Sequence, residues 1–227
     1  LGLALGYRDF HMKINKDVMK EVGKYGLIYG LAIVGNYLFI RFGILILGHY
    51  NYIEQIAMYE LLNKLFMILI VPFTIMGQVI APNFTELQAK KQYGTIYKRL
   101  KYYTLIFFVI GIILGFLFYL LMPLIFKELF NNYYNSLFFE MLPFLVIIFI
   151  TNVWAATIDA GILVPTGYAG LMAKFYIILG IFGTLLSLLL VNITGYMGVI
   201  YSFAVCSFLM AIGLRVMYFM KVKRFGT

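Results

Sequence analysis

The sequence contains little that would build a soluble protein or a catalytic centre. Only 12% of its 227 residues are charged, and Cys206 is its single cysteine. Because about a quarter of the residues in a soluble domain are charged, the low charge excludes an ordinary soluble monomer. A single cysteine excludes a domain held together by disulfide bonds. Intrinsic disorder is excluded too, because 19% of the residues are aromatic and disordered chains contain few aromatic residues.

What the sequence does contain is long apolar runs. Hydrophobic residues make up 63% of the chain, and the mean hydropathy is +0.95. The run 102–126 has 25 residues without a charge, whereas a helix needs about 20 apolar residues to span a membrane. The runs are continuous and lack the alternation of a transmembrane β-strand. We therefore predict an all-α integral membrane protein, a six-transmembrane-helix bundle with spans at roughly 24–48, 55–80, 102–126, 137–163, 171–192 and 196–219.

The positions of the cations predict the topology. Of the 18 lysines and arginines, 14 lie on one side of the predicted spans and only Lys127 lies on the other side. Loops rich in lysine and arginine face the cytoplasm, so both ends of the chain are expected to be cytoplasmic. The net charge of +9 then reflects topology. Nucleic-acid binding is excluded, because it requires a folded basic face.

The chain divides into three predicted regions. Residues 1–23 are expected to be the end of a preceding span plus a cytoplasmic linker, 24–220 a six-helix membrane lobe and 221–227 a cytoplasmic basic tail. The apolar segment 1–6 is too short to span, and no cationic region precedes it as in a signal peptide. We therefore expect a further span upstream. The alternative is a natural start from which the methionine has been removed.

The connection 81–101 combines apolar residues with five cations. It is interpreted either as a helix along the inner membrane surface, with its cations toward anionic headgroups, or as a solvated loop. Within the spans, Pro72 and Pro143 permit bends, although proline is common in membrane helices. Gly26 with Gly30, and Gly111 with Gly115, have the spacing that permits close helix contacts.

Candidate catalytic groups are few and scattered. His11 and His49 are predicted on opposite sides of the membrane, and Cys206 lies in mid-span with no histidine in reach. No acidic cluster suits metal-dependent phosphotransfer, and no glycine-rich phosphate loop is present. We expect no enzymatic activity, no metal and no cofactor.

Polar residues deep within the predicted spans are the candidate functional groups. A charge at the bilayer centre costs at least about 2.5–3.5 kcal/mol and therefore has a partner or a watery cavity. Arg41 in the first span and Glu60, Asn63 and Lys64 in the second are predicted to meet at one level. With two cations and one anion, the cluster suits an anionic ligand such as a phosphate or an acidic sugar. The alternative is a closed network that fastens the two helices.

Asn152 and Asp159 in the fourth span form a second candidate set. Because Asp159 lies near the predicted cytoplasmic end, an interfacial role is the simpler interpretation for it. Arg215 in the sixth span is interpreted in the same way, as a residue that extends its guanidinium to the membrane boundary.

Four segments resemble a family of transporters: IAMYE at 56–60, APNFTEL at 81–87, LFNNYY at 129–134 and NITGYMG at 192–198. Their order resembles the C-terminal half of polysaccharide, or lipid-linked oligosaccharide, flippases of the multidrug/oligosaccharidyl-lipid/polysaccharide exporter superfamily. In that family a proline, here Pro82, ends a span before a basic loop. Many relatives have an Asp-Arg pair at the position of 39–41, and of that pair only the arginine, Arg41, is present here. Asn131 and Asn132 stand where glycine is usual.

The resemblance implies one lobe of a two-lobed transporter in a bacterial or archaeal cytoplasmic membrane, with an N-terminal lobe of the same protein as its partner. Such proteins flip an undecaprenyl-type lipid-linked sugar across the bilayer by alternating access, often coupled to an ion gradient. Arg41 and Lys64 would then face the substrate cavity, with Glu60 as a modulating carboxylate. The alternatives are an ion-coupled multidrug or cation antiporter of the same superfamily and a structural membrane bundle that transports nothing.

Overall fold

The computed structural model describes residues 16–226, which form six long helices. All six are long and apolar enough to cross a membrane, so the predicted all-α six-helix bundle is confirmed. Residues 1–15, including the apolar segment 1–6 and His11, lie outside the described residues. The helices are α1 (Lys16–His49), α2 (Ile53–Ala89), α3 (Tyr93–Leu129), α4 (Ser136–Ile158), α5 (Ala169–Thr194) and α6 (Met197–Gly226), with a 3₁₀ turn at Asn131–Tyr133 and a π-helical turn at Asp159–Leu163.

The basic connection between the second and third spans is helical on both sides of a short turn. Helix α2 continues through Pro82 to Ala89, and α3 begins at Tyr93, so the loop interpretation of 81–101 and the expected end at Pro82 are wrong. The segment is helical, as the other interpretation expected, but it belongs to the two long helices and not to a separate one. The apolar residues of the segment explain the difference, because they are buried between the two helix extensions and the rest of the bundle. These residues are Phe84, Leu87, Ile96 and Leu100.

Helices α4 and α6 lie in the centre of the bundle. Helix α1 packs mainly on α5, α5 on α6, and α3 on α4, while α4 also contacts α2 and α6. Helices α1 and α2 contact each other only slightly, although the link between them is short. Sequence reasoning made α1 and α2 direct neighbours, but a cavity separates much of their length.

One of the two predicted glycine contacts forms. A Cβ added to Gly115 would lie 2.5 Å from Cγ1 of Ile150, and one added to Gly111 would lie 3.1 Å from the Ile150 carbonyl oxygen. Helix α3 therefore approaches α4 closely, as predicted. At Gly26 and Gly30 no described atom lies within 4 Å of an added Cβ, so the predicted contact is absent from the described part of the chain.

A close crossing joins α2 to the π-helical turn. A Cβ added to Gly161 would lie 2.6 Å from the carbonyl oxygen of Gly77. Beside it, the Thr157 hydroxyl donates a 3.1 Å hydrogen bond to the Phe73 carbonyl. Two facing glycines thus let the backbones meet, and this contact fixes the position of the residues at the start of the turn.

Candidate functional site

A cavity of ≈ 320 Å³ lies inside the bundle, between α1, α2, α4, α5 and α6. Phenylalanine, isoleucine, methionine and alanine side chains form most of its wall, as is usual for a ligand site. Eight polar residues also line it, which is unusual in so apolar a chain. They are Asn36, Asn63, Thr74, Thr151, Asn152, Asp159, Tyr176 and Ser207.

Among the residues that the structure describes, Asp159 is the one charged residue in the wall of this cavity. It begins the π-helical turn, and such turns are often found at functional sites. Its side chain is buried, yet Oδ1 has no hydrogen-bond partner among the described residues. The hydroxyl of Ser207 is also without one. A buried polar group without a partner costs about 1–3 kcal/mol, so these two groups mark a place where a ligand would be stabilised.

Arg215 lies within the bundle and does not reach toward the membrane boundary. Only 3% of the residue is exposed, and its guanidinium donates to the backbone carbonyls of Trp154 and Ala211. Its Cζ atom stands 4.2 Å from the centre of the Trp154 ring, a cation–π geometry. The interpretation as a boundary residue is therefore wrong for Arg215. Asp159 is also enclosed by the bundle, since it is 8% exposed and close enough to Arg215 for electrostatic attraction.

The predicted cluster on α1 and α2 is divided in the structure. Arg41 and Glu60 form an ion pair whose side chains are 38% and 20% exposed, and the guanidinium also stands over the ring of Tyr37. Asn63 turns into the cavity. Lys64 is exposed, outside the cavity wall, and forms no ion pair with any described residue. The pair fits the fastening interpretation, while Lys64 remains the uncompensated cation that the charge count anticipated.

Sequence reasoning found three residues of the cavity wall and missed several others. Asn63, Asn152 and Asp159 were predicted and line it, whereas Arg41, Glu60 and Lys64 do not. A usable pattern was present, because Asn63 and Thr74 are eleven residues apart and share one face of α2. Thr151 on α4 and Asp159, eight residues later at the start of the π-helical turn, also line the same cavity. The missed polar residues are Asn36, Thr74, Thr151, Tyr176 and Ser207.

No group of three His, Cys, Asp or Glu residues within the described part of the chain could hold a metal ion. Comparison with protein-family models, curated proteins and solved structures gives no significant match. The fold and the cavity define the class of protein as an all-α, multi-pass membrane protein with a polar internal cavity.

Proposed function

We propose that this protein is a membrane transporter that flips a lipid-linked sugar or oligosaccharide across the membrane for surface polysaccharide synthesis. The observation that carries the proposal is the polar cavity inside an apolar bundle, with an unpartnered carboxylate oxygen at Asp159. Polar groups held at membrane depth mark substrate or ion pathways.

The cavity wall suits a sugar in its chemistry. Side-chain amides carry two donors and an acceptor, which match the mixed donor and acceptor character of sugar hydroxyls. Asn36 and Asn63 bring such amides to the wall, and Asn152 brings a third whose nitrogen also donates to the Ile148 carbonyl. Lys64 follows Asn63 directly and is exposed without an ion-pair partner in the described chain. A lysine of this kind can pair with the phosphate of a lipid carrier. The lipid tail would remain in the bilayer.

The resemblance to the C-terminal half of polysaccharide flippases agrees with this assignment. It implies a second lobe of the same protein, alternating access, and a bacterial or archaeal cytoplasmic membrane with both ends of this segment in the cytoplasm. Prolines inside helices α2 and α4, at Pro72 and Pro143, provide bending points. The π-helical turn is a third irregular point, next to the cavity. No catalytic step is part of the proposal.

The first test compares two lysines in cells that depend on this protein. Lys64→Ala is expected to lower surface glycan and to raise lipid-linked intermediates in membrane extracts, measured by mass spectrometry. Lys127→Ala is the matched control, because Lys127 is also exposed and lies at the end of α3, away from the cavity. Equal glycan and equal intermediates in both variants, at equal protein levels, would contradict the proposal.

The ion pair of Arg41 and Glu60 needs its own test, because it could bind substrate or only hold α1 to α2. The single variants Arg41→Glu and Glu60→Arg place like charges together and are expected to lower the protein level. The double variant restores opposite charges. Glycan export restored by the double variant assigns the pair to structure, while normal protein with failed export assigns Arg41 to the substrate path.

A second candidate function is a cation antiporter, and one observation favours it. The single charged residue of the cavity wall is an acid, Asp159, which would attract a cation. Vesicles containing the protein distinguish the two functions. Uptake of an organic cation driven by a proton or sodium gradient, and abolished in Asp159→Asn, would indicate the antiporter. Movement of the lipid-linked sugar without cation uptake, whether or not a gradient drives it, would indicate the flippase.

A further inference from the structure

A second concave surface lies on the outside of the bundle, away from the cavity. It is a groove of ≈ 400 Å³ formed by one face of α3 together with single residues of α4 and α6. The α3 residues follow helical spacing over three turns. We call this surface the α3 groove, and its lining residues are Tyr97, Lys101, Thr104, Leu105, Phe108, Trp154 and Phe219.

The floor of the α3 groove is held in place by Trp154. Its indole N–H donates a 3.0 Å hydrogen bond to the carbonyl of Thr104, and its ring packs 5.1 Å from the ring of Phe108. The guanidinium of Arg215 also lies against the Trp154 ring. At the basic end of the groove, the rings of Tyr97 and Phe219 meet at 5.4 Å. The groove therefore exists before any ligand enters it.

Charge and depth identify what fits the groove. Lys101 is the last cation before the uncharged run 102–126, so it stands where headgroups meet hydrocarbon. It is exposed and forms no ion pair with any residue the structure describes. From Lys101 to Phe108 the groove descends seven residues, about 10 Å at 1.5 Å per residue. One leaflet contributes about 15 Å of hydrocarbon, so this depth accommodates most of an acyl chain.

We infer that the α3 groove binds one anionic phospholipid, with its phosphate on Lys101 and an acyl chain along Leu105 and Phe108. The surrounding segment 81–101 carries five cations and a single acid, Glu86. Glu86 forms an ion pair with Lys90, with 2.5 Å between Oε1 and Nζ. The local field thus favours a negatively charged headgroup over a zwitterionic one. The inference does not depend on what the protein transports.

Native mass spectrometry of the purified full-length protein tests this inference. Phosphatidylglycerol and phosphatidylcholine with identical acyl chains are titrated separately, and bound lipid is counted. We expect tighter binding of phosphatidylglycerol and a loss of about fivefold in its affinity in Lys101→Gln, with little change for phosphatidylcholine. Lys98→Gln is the matched control, because Lys98 is exposed on the same helix but lies outside the groove.

Equal losses in the two lysine variants would overturn the inference, because they would indicate diffuse attraction to a basic surface. Absence of any preference for phosphatidylglycerol would overturn it too. A second measurement uses phosphatidylglycerol with a photoactivatable acyl chain. Cross-links are expected in peptides that contain Leu105 and Phe108. Cross-links confined to other helices would contradict the inference. So would the absence of any cross-link in α3, as expected if another part of the protein covers the groove.

Discussion

The crossing of α2 and the π-helical turn supports the carboxylate in the cavity, so its disruption is the most informative structural perturbation. In Gly161→Ala the new Cβ would stand 2.6 Å from the Gly77 carbonyl oxygen and 2.6 Å from Cγ1 of Ile80. Ordinary contacts begin at 3.4 Å, so the two backbones must separate by about 0.8 Å. The Thr157–Phe73 hydrogen bond, now 3.1 Å, would then stretch beyond hydrogen-bonding distance.

Three terms set the magnitude. Overpacking costs about 1–3 kcal/mol, and the lost hydrogen bond costs about 0.5–1.5 kcal/mol. Replacing a helical glycine by alanine returns about 0.5–1 kcal/mol. Together they lower the free energy of unfolding of Gly161→Ala by about 0.5–4 kcal/mol. A shorter side chain at Ile80 should not restore the stability, because the added Cβ would still clash with the Gly77 carbonyl oxygen.

The buried thiol of Cys206 provides the assay. Cys206 is fully buried, so a thiol-reactive fluorophore reports its exposure as the protein unfolds on heating in detergent. Gly94→Ala is the control, because an added Cβ there meets no described atom within 4 Å, and it is expected to leave the melting temperature unchanged or slightly raised. Equal melting temperatures for both variants would refute the close-crossing argument.

Three further predictions concern other contacts of the same bundle. In Gly115→Ala the clash is with the side chain of Ile150 rather than backbone, so the loss of about 1–3 kcal/mol should disappear when Gly115→Ala is made in an Ile150→Ala background and compared with Ile150→Ala alone; an equal loss in both backgrounds would contradict this. Arg215→Lys removes the fork in which two nitrogens each reach one carbonyl and should lower stability by about 1–3 kcal/mol, and an unchanged melting temperature would show that the fork contributes nothing. Asp159→Asn removes a buried charge that forms no direct ion pair with any residue the structure describes and should leave stability equal or higher while transport is lost; a large loss of stability would identify Asp159 as a structural residue.

The class of fold could be predicted from the sequence because the membrane restricts the choices. An uncharged run of 25 residues at 102–126 can only be a spanning helix or a buried one. The helix ends were harder to predict. Pro82 looks like a stop, but α2 continues to Ala89 because Phe84 and Leu87 gain burial against the bundle. Tertiary packing of this kind leaves no local mark in the sequence.

The candidate site could be predicted only in part, for a related reason. Hydropathy identifies polar residues within a span but does not say which side of the helix faces a neighbour. Lys64 and Asn63 adjoin in sequence, yet one is exposed and the other lines the cavity. Arg215 looked like a boundary residue because it stands near a basic tail. Its partners, the carbonyls of Trp154 and Ala211, are known only once α4 and α6 are packed.

Filling the cavity tests the central claim most directly, because it changes the proposed path without removing a polar group. Ala156 lines the cavity, and Ala156→Leu would occupy part of it. Ile181→Phe enlarges a side chain that is 60% exposed on α5 and serves as the control. The measurement is the rate at which purified full-length protein, in vesicles, moves a lipid-linked oligosaccharide between leaflets. If transport runs through the cavity, Ala156→Leu should be at least tenfold slower than wild type at an unchanged melting temperature, whereas Ile181→Phe should match wild type. A tenfold loss corresponds to an increase on the order of 1.4 kcal/mol in the activation free energy. Wild-type transport by Ala156→Leu would contradict the account.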